Sequence, residues 1–246
     1  MIFVIVLIIT AVRIKSMDSH RISGRILAEN IAGPGMLRLV EQSMQARARK
    51  TSVTEIAVKE RKHPQAALTF DDGPDSRYTP LLLDGLKERN VRASFFLLGE
   101  KVEQYPELVE RMQKEGHLVG NHTYHHVQLN KLNETKAREE ILKTNNLIYE
   151  TTGVYPLYLR PPFGAWKKNL ELCVEMLPVF WTIDTLDWKV QNTEKIVRTV
   201  QEQIEDGAII LMHDEYDTSV EAALQVVDEL KNQGYELVTV DQLILP

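Results

Sequence analysis

The sequence predicts an α/β fold, a distorted (β/α) barrel of about seven parallel strands. Two observations carry this. Seven short apolar runs recur along residues 64–246, at 66–70, 93–98, 117–121, 157–160, 178–183, 208–212 and 236–240. Amphipathic helical patterns separate most of them, at 79–90, 107–115, 134–151, 192–206 and 218–233. Apolar runs alternating with helices are the signature of βαβ units, whose parallel strands are covered on both faces. A doubly wound open sheet is the alternative. No GxGxxG or GxxxxGK[ST] segment follows any run, which weakens its nucleotide-binding form. Seven strands in about 180 residues suit a barrel somewhat smaller than the eightfold one.

Ahead of the first strand, the chain reads differently. Its first twelve residues, MIFVIVLIITAV, are apolar without a break. As a helix they would span about 18 Å, short of the roughly 30 Å hydrocarbon core. That length suits the hydrophobic part of a signal peptide or an anchor, although Arg13 and Lys15 follow the run and no basic residue precedes it. Residues 16–63 lack a sustained strand pattern and are split by Gly33-Pro34-Gly35. The expected division is therefore a hydrophobic signal or anchor segment at 1–15, a basic linker at 16–63 and a catalytic-type domain at 64–246.

Charge follows the same division. Residues 1–63 hold 11 basic and 5 acidic residues, a net of +6, while the remainder carries a net of −12. A basic arm on an acidic body suits attachment to an anionic surface such as lipid head groups or a cell-wall polymer. An extracellular or cell-envelope location is expected, with membrane attachment through the N-terminal segment as an option. The single cysteine, Cys173 in the apolar pattern LELCVEM, rules out an intrachain disulfide and reads as a small core residue. Overall composition, 43% hydrophobic and 26% charged, names no function.

The chemistry collects where barrel strands end, which is where such folds place catalytic groups. The first strand runs into Asp71-Asp72, the third into NHTYHH (121–126), the fourth into RPPFG (160–164), the fifth into DTLDW (184–188) and the sixth into LMHD (211–214). His122 and His126 lie four apart, a spacing that puts both imidazoles on one side of a helical turn. With one carboxylate they form a two-histidine, one-carboxylate set, which fits catalytic Zn²⁺ and equally non-haem Fe²⁺. His125 is the alternative partner, with a less apt spacing. His20, His63 and His117 read as structural or exposed.

The doublet then divides into two roles. Asp72 joins the metal set, and Asp71 is left to take a proton from the attacking water. Side chains alternate along a strand, so the turn at Gly73-Pro74 is needed to bring both to the mouth. Arg160 keeps Asp71 ionised and aimed through a bidentate pair. His213 is the general acid, and Asp187 is the carboxylate expected to raise its pKa, with Asp184 and Asp214 as alternatives. Trp188 and Leu211 are apolar and suit the floor of a small pocket.

These motifs resemble, in order, the five signature motifs of the polysaccharide deacetylases with the NodB-homology domain, carbohydrate esterase family 4: TFDDGP (69–74), HTYHH (122–126), RPPFG (160–164), DTLDW (184–188) and LMH (211–213). The likeness covers about residues 65–243. It implies a distorted (β/α) barrel and a divalent metal, usually zinc with Co²⁺ as an option, held by Asp72, His122 and His126. It implies Asp71 as base, His213 as acid, Arg160 orienting Asp71, and Asp187 tuning His213. It also implies that the Phe163 backbone N–H binds the oxyanion, that Trp188 and Leu211 line the acetyl-methyl pocket, and that Thr123 steadies the metal loop. The implied reaction removes N-acetyl groups from a β-1,4-linked N-acetylglucosamine polymer, peptidoglycan foremost or chitin oligomers. The partner is then a glycan, with no nucleic acid and no protein partner expected. An O-acetyl xylan esterase and a non-catalytic glycan-binding protein are the competing readings. The second is disfavoured because binding alone has no use for Asp71, Arg160 and His213 together.

Overall fold

The computed structural model describes residues 62–166 and 176–244. The apolar N-terminal segment, the basic linker and Cys173 lie outside these. Eight strands are described: β1 (Gln65–Asp71), β2 (Ser94–Leu97), β3 (Leu118–Asn121), β4 (Tyr158–Leu159), β5 (Leu177–Pro178), β6 (Ile183–Asp184), β7 (Ala208–His213) and β8 (Glu236–Leu237). The helices are α1 (Tyr78–Glu88), α2 (Gly99–Gln104), α3 (Pro106–Lys114), α4 (Glu134–Thr152), α5 (Asp187–Val190), α6 (Thr193–Gln203), α7 (Asp217–Asn232) and α8 (Val240–Ile244). The strands pair in the order β5-β4-β3-β2-β1-β7-β6, with β8 on β1, and every ladder is parallel.

Helix boundaries follow local chemistry. Asn133 caps α4 by accepting the Lys136 N–H at 2.9 Å, and Asn192 caps α6 by accepting the Lys195 N–H at 3.0 Å. Pro106 opens α3, where its missing N–H costs nothing, and Gly153 ends α4 at φ 72°.

Strand alternation sorts the core into two layers. Ala66, Leu68 and Phe70 of β1 join Ala208, Ile210 and Met212 of β7 and Phe95 and Leu97 of β2 in a cluster with the buried faces of α1, α6 and α7. Ala67 and Phe96 point the other way and pack with Tyr158, Val179 and Val240. Thr69, Asp71, Leu211 and His213 belong by alternation to this inner side, so the C-terminal ends of β1 and β7 carry Asp71 and His213 into it.

The expected strand at 178–183 is instead two two-residue strands joined by a link. The Val179 N–H reaches the Leu159 carbonyl at 2.8 Å, and the Thr182 N–H reaches the Ile209 carbonyl at 2.9 Å. The link thus crosses from the β4 edge to the β7 edge and cannot pair along its length with either. Among the described residues no ladder joins β5 to β6. Arg160 holds the start of this link from inside, donating from Nε to the Val179 carbonyl at 3.4 Å and from Nη2 to the Phe180 carbonyl at 3.3 Å.

Candidate active site

At the end of β1 the two aspartates separate through the backbone. Asp71 ends the strand facing inward, while Asp72 adopts φ 70°, in the left-handed region. The reversal therefore begins at Asp72 itself, one residue earlier than the Gly73-Pro74 turn suggests. Asn, Asp and Gly are the residues that enter this region most readily.

Asp71 is buried, and its Oδ1 accepts from Arg160 Nη1 at 2.8 Å. The pair is not bidentate as expected, because the guanidinium is shared. Nη1 also donates to Thr69 Oγ1 at 2.7 Å, while Nη2 and Nε hold the carbonyls of the 179–180 link. Arg160 is itself fully buried and lies over the Phe96 ring at 4.2 Å. Burial lifts the Asp71 carboxyl above its ordinary value, opposed by the charges of Arg160 and His213 and the Arg160 hydrogen bond. A carboxylate raised in this way is a stronger base.

His122, His126 and Asp72 converge, with one ligand atom from each within 4.8 Å of the others. Asp72 Oδ1 is buried without a hydrogen-bond partner and lies 3.4 Å from His122 Nε2 and 3.5 Å from His126 Nε2. The other His122 nitrogen, Nδ1, donates to the Arg160 carbonyl at 2.6 Å, which leaves the Nε2 lone pair facing Asp72. Burial pulls the His122 pKa down to about 3, so the ring is neutral. An orphaned carboxylate oxygen between two imidazole nitrogens fits a divalent cation. The two histidines meet through an irregular loop and not a helical turn, with Thr123 at φ 67° and His126 at φ 54°.

Across the mouth stands His213, the β7 register partner of Asp71. Its Nδ1 donates to Asp187 Oδ1 and its backbone N–H to Asp187 Oδ2, both at 2.7 Å, and its Nε2 lies 3.8 Å from Asp72 Oδ2. Of the three carboxylates weighed beside His213, Asp187 alone bonds it. Asp184 accepts the Leu186 N–H at 3.0 Å, which steadies the turn into α5. Asp214 takes a hydrogen bond from Thr79 and packs its carboxyl over Gly73, where a Cβ would meet its Oδ1 at 2.4 Å. Leu211 is buried on the same side of β7 as His213, whereas Trp188 stands about half exposed on α5. Phe163 holds φ 59°, and its exposed ring lies 4.5 Å from His126.

Of the histidines read as structural or exposed, two lie among the described residues. His117 is buried and accepts the Ala93 N–H at 3.0 Å, with its pKa lowered to about 4 mainly by burial. His63 is exposed, and His20 lies outside the described residues.

Two site-building residues had no sequence signal. Asn121 donates from Nδ2 to the Ile141 carbonyl at 2.9 Å and to Asn145 Oδ1 at 2.7 Å, and accepts the Thr123 N–H at 2.7 Å. Glu140, from the middle of α4, binds the loop between the metal-set histidines.

Comparison with known proteins decides the family. The polysaccharide deacetylase family model matches residues 58–180, which include Asp71, Asp72, His122, His126, Arg160 and Phe163. The chain belongs to the polysaccharide deacetylase family. This chain is 43% identical over 185 residues to the peptidoglycan-N-acetylglucosamine deacetylase PgdA of Listeria monocytogenes, with 75% of this chain and 40% of that protein covered. It is 40% identical over 186 residues to a peptidoglycan-N-acetylglucosamine deacetylase of Bacillus cereus, with 73% of this chain and 68% of that protein covered. The structure of the peptidoglycan deacetylase PdaC from Bacillus subtilis superposes with a TM-score of 0.72 at 42% identity, over 74% of this chain and 91% of that one. The chain thus spans less than half the length of the Listeria relative.

Proposed function

We propose that this protein is a zinc-dependent hydrolase that removes N-acetyl groups from the N-acetylglucosamine units of peptidoglycan, releasing acetate and leaving a free amine. The observation that carries the reading is the convergence of three couples on one mouth: Asp71 on Arg160, His213 on Asp187, and Asp72 with His122 and His126. Peptidoglycan as substrate is supported by the named activities of the Listeria and Bacillus relatives.

Asp72, His122 and His126 hold the divalent cation in this reading. Such a cation lowers the pKa of water and polarises a carbonyl oxygen. Asp71, made more basic by burial and aimed by Arg160, takes a proton from the water whose oxygen attacks the acetyl carbonyl carbon. The Phe163 backbone N–H donates a hydrogen bond to the carbonyl oxygen on which negative charge develops. His213, protonated through Asp187, gives its proton to the amide nitrogen as the carbon–nitrogen bond breaks. Leu211 and Trp188 border the acetyl methyl group, and Thr123 braces the metal loop by accepting the Val127 N–H at 3.2 Å.

A cell-envelope location follows from this substrate, and the basic charge of residues 1–63 suits attraction to an anionic wall or membrane. Among the described residues, no helix is long and apolar enough to cross a membrane. Acetate release by the full chain, loaded with Zn²⁺ or Co²⁺, tests the function when compared across peptidoglycan, chitin oligomers and acetylated xylan. Peptidoglycan should be the best substrate, and chelation should abolish turnover until metal is restored. Release from acetyl-xylan alone would replace the N-deacetylase reading with an O-acetyl esterase.

A further inference from the structure

We propose that Glu140 is the positioning residue for the metal-ligand loop 122–126 and that its carboxylate sets the affinity of the site for its cation through His126. The inference rests on the reading that Asp72, His122 and His126 hold that cation. The loop carries two non-glycine residues in the left-handed region, Thr123 at φ 67° and His126 at φ 54°. Such backbone persists only where its surroundings over-determine it.

The surroundings here come from α4. Glu140 Oε2 accepts the N–H groups of two successive loop residues, Tyr124 at 3.0 Å and His125 at 2.9 Å, and Oε1 accepts His125 Nδ1–H at 2.8 Å. Consecutive N–H groups turned to one side form an anion-binding concavity, and this one is filled by the protein's own carboxylate. The Glu140 side chain is only 16% exposed. Just beyond it on α4, the Ile141 carbonyl and Asn145 Oδ1 hold Asn121, which in turn accepts the Thr123 N–H. One helix therefore fixes the start of the loop through Asn121 and its middle through Glu140.

The two histidines depend on this clamp unequally. His122 has its own anchor, the Nδ1 bond to the Arg160 carbonyl. The His126 ring makes no hydrogen bond among the described residues, and its only close ring neighbours are His122 and Phe163. Its aim at Asp72 follows from the backbone, and Glu140 is what holds that backbone. The Glu140 carboxylate bonds Tyr124 and His125 and not Asp71, Arg160 or His213, so its effect falls on cation affinity and not on turnover once the cation is bound.

The test is Zn²⁺ affinity of the full chain, measured by competition with a chromogenic chelator, for wild type, E140A, E140Q and H126A. E140A should bind about 10- to 100-fold more weakly, the range for residues that orient a metal ligand. E140Q keeps a carbonyl oxygen for the loop N–H groups and should stay within a few-fold of wild type. Metal-free melting temperatures of both Glu140 variants should stay close to wild type, and kcat and KM at saturating Zn²⁺ should be retained. Wild-type affinity in E140A, with H126A binding weakly, would overturn the role of Glu140 and leave the metal site standing. Wild-type affinity in H126A would instead overturn the metal site, and the inference with it. Equal weakening in E140A and E140Q, or a collapsed metal-free melting temperature in E140A, would also sink the inference.

Discussion

His213 and Asp187 are joined twice, through the ring Nδ1–H and the backbone N–H of His213, to the two oxygens of one fully buried carboxylate. Burial by itself would lower the imidazole pKa. The Asp187 hydrogen bond and charge, with the charges of Asp71 and Asp72, outweigh it and carry His213 from 6.5 up to about 9. Burial likewise acts to raise the Asp187 carboxyl, and its bonds to His213 overcome this and hold it below its ordinary value. The couple keeps a proton on His213 through neutral pH, as the proposed acid requires.

The first prediction follows from the sign of that shift. A folded-state pKa raised from 6.5 to about 9 stabilises the fold fully below pH 6.5 and ceases to do so as pH rises through 9. The contribution is about 3 kcal/mol. In the metal-free chain, an NMR titration of the His213 ring should place it near 9, and Asp187→Asn should bring it back towards the ordinary histidine range. The alkaline limb of the kcat/KM profile should move to lower pH in the same variant. A ring still titrating near 9 in Asp187→Asn would remove Asp187 from this role.

Asp71→Asn separates the proposed base from the proposed metal set. The substitution preserves shape and an acceptor for Arg160 Nη1 but cannot take a proton. Turnover should fall by roughly 10²- to 10⁴-fold, the contribution of a positioned base. Zn²⁺ binding should persist, because the Asp71 carboxylate is outside the converging ligand set. Full activity in this variant would transfer the base role elsewhere.

Much of this was readable because polar residues that end apolar runs have few structural reasons to be there. The inner and outer faces of β1, Ala67-Thr69-Asp71 and Ala66-Leu68-Phe70, follow from strand alternation alone. The 122–126 loop was not readable as such, because a four-residue spacing fits a helical turn and a coiled loop equally. Its left-handed positions are Thr and His, where glycine would have left a trace. Glu140 is hidden among Arg138, Glu139 and Glu140 on a polar helix surface, and only the tertiary contact singles it out. The broken strand at 178–183 did leave a sign, since Pro178 cannot donate to a ladder.

Arg160→Met tests the buried pair. The arginine supports Asp71, Thr69 and the link that spans the gap between β5 and β6. Its loss leaves Asp71 as an uncompensated buried carboxyl, a change that costs about 3–5 kcal/mol. Urea unfolding should show that loss at pH 7. The loss should shrink at low pH, because the unpaired Asp71 is then protonated and neutral. A pH-independent loss would assign the cost to packing and not to charge.

Gly120→Ala tests how far the site depends on the inner layer beneath it. A Cβ at Gly120 would meet Phe96 Cδ1 at 2.7 Å and the Tyr158 carbonyl at 3.1 Å. Neither can give way cheaply: Phe96 is fully buried beneath the Arg160 guanidinium, and the Tyr158 carbonyl is backbone in β4. Overpacking of this kind costs about 1–3 kcal/mol. The displaced Phe96 ring pushes on Arg160, and through it on Asp71, whereas the Asp72, His122 and His126 set lies beyond the contact. Gly120→Ala should therefore lower the melting temperature and kcat while leaving Zn²⁺ affinity within a few-fold of wild type. The double variant Gly120→Ala, Phe96→Leu, which restores space over the new methyl group, should recover part of both. Loss of metal with kcat intact would show that the strain runs along β3 into the histidine loop instead.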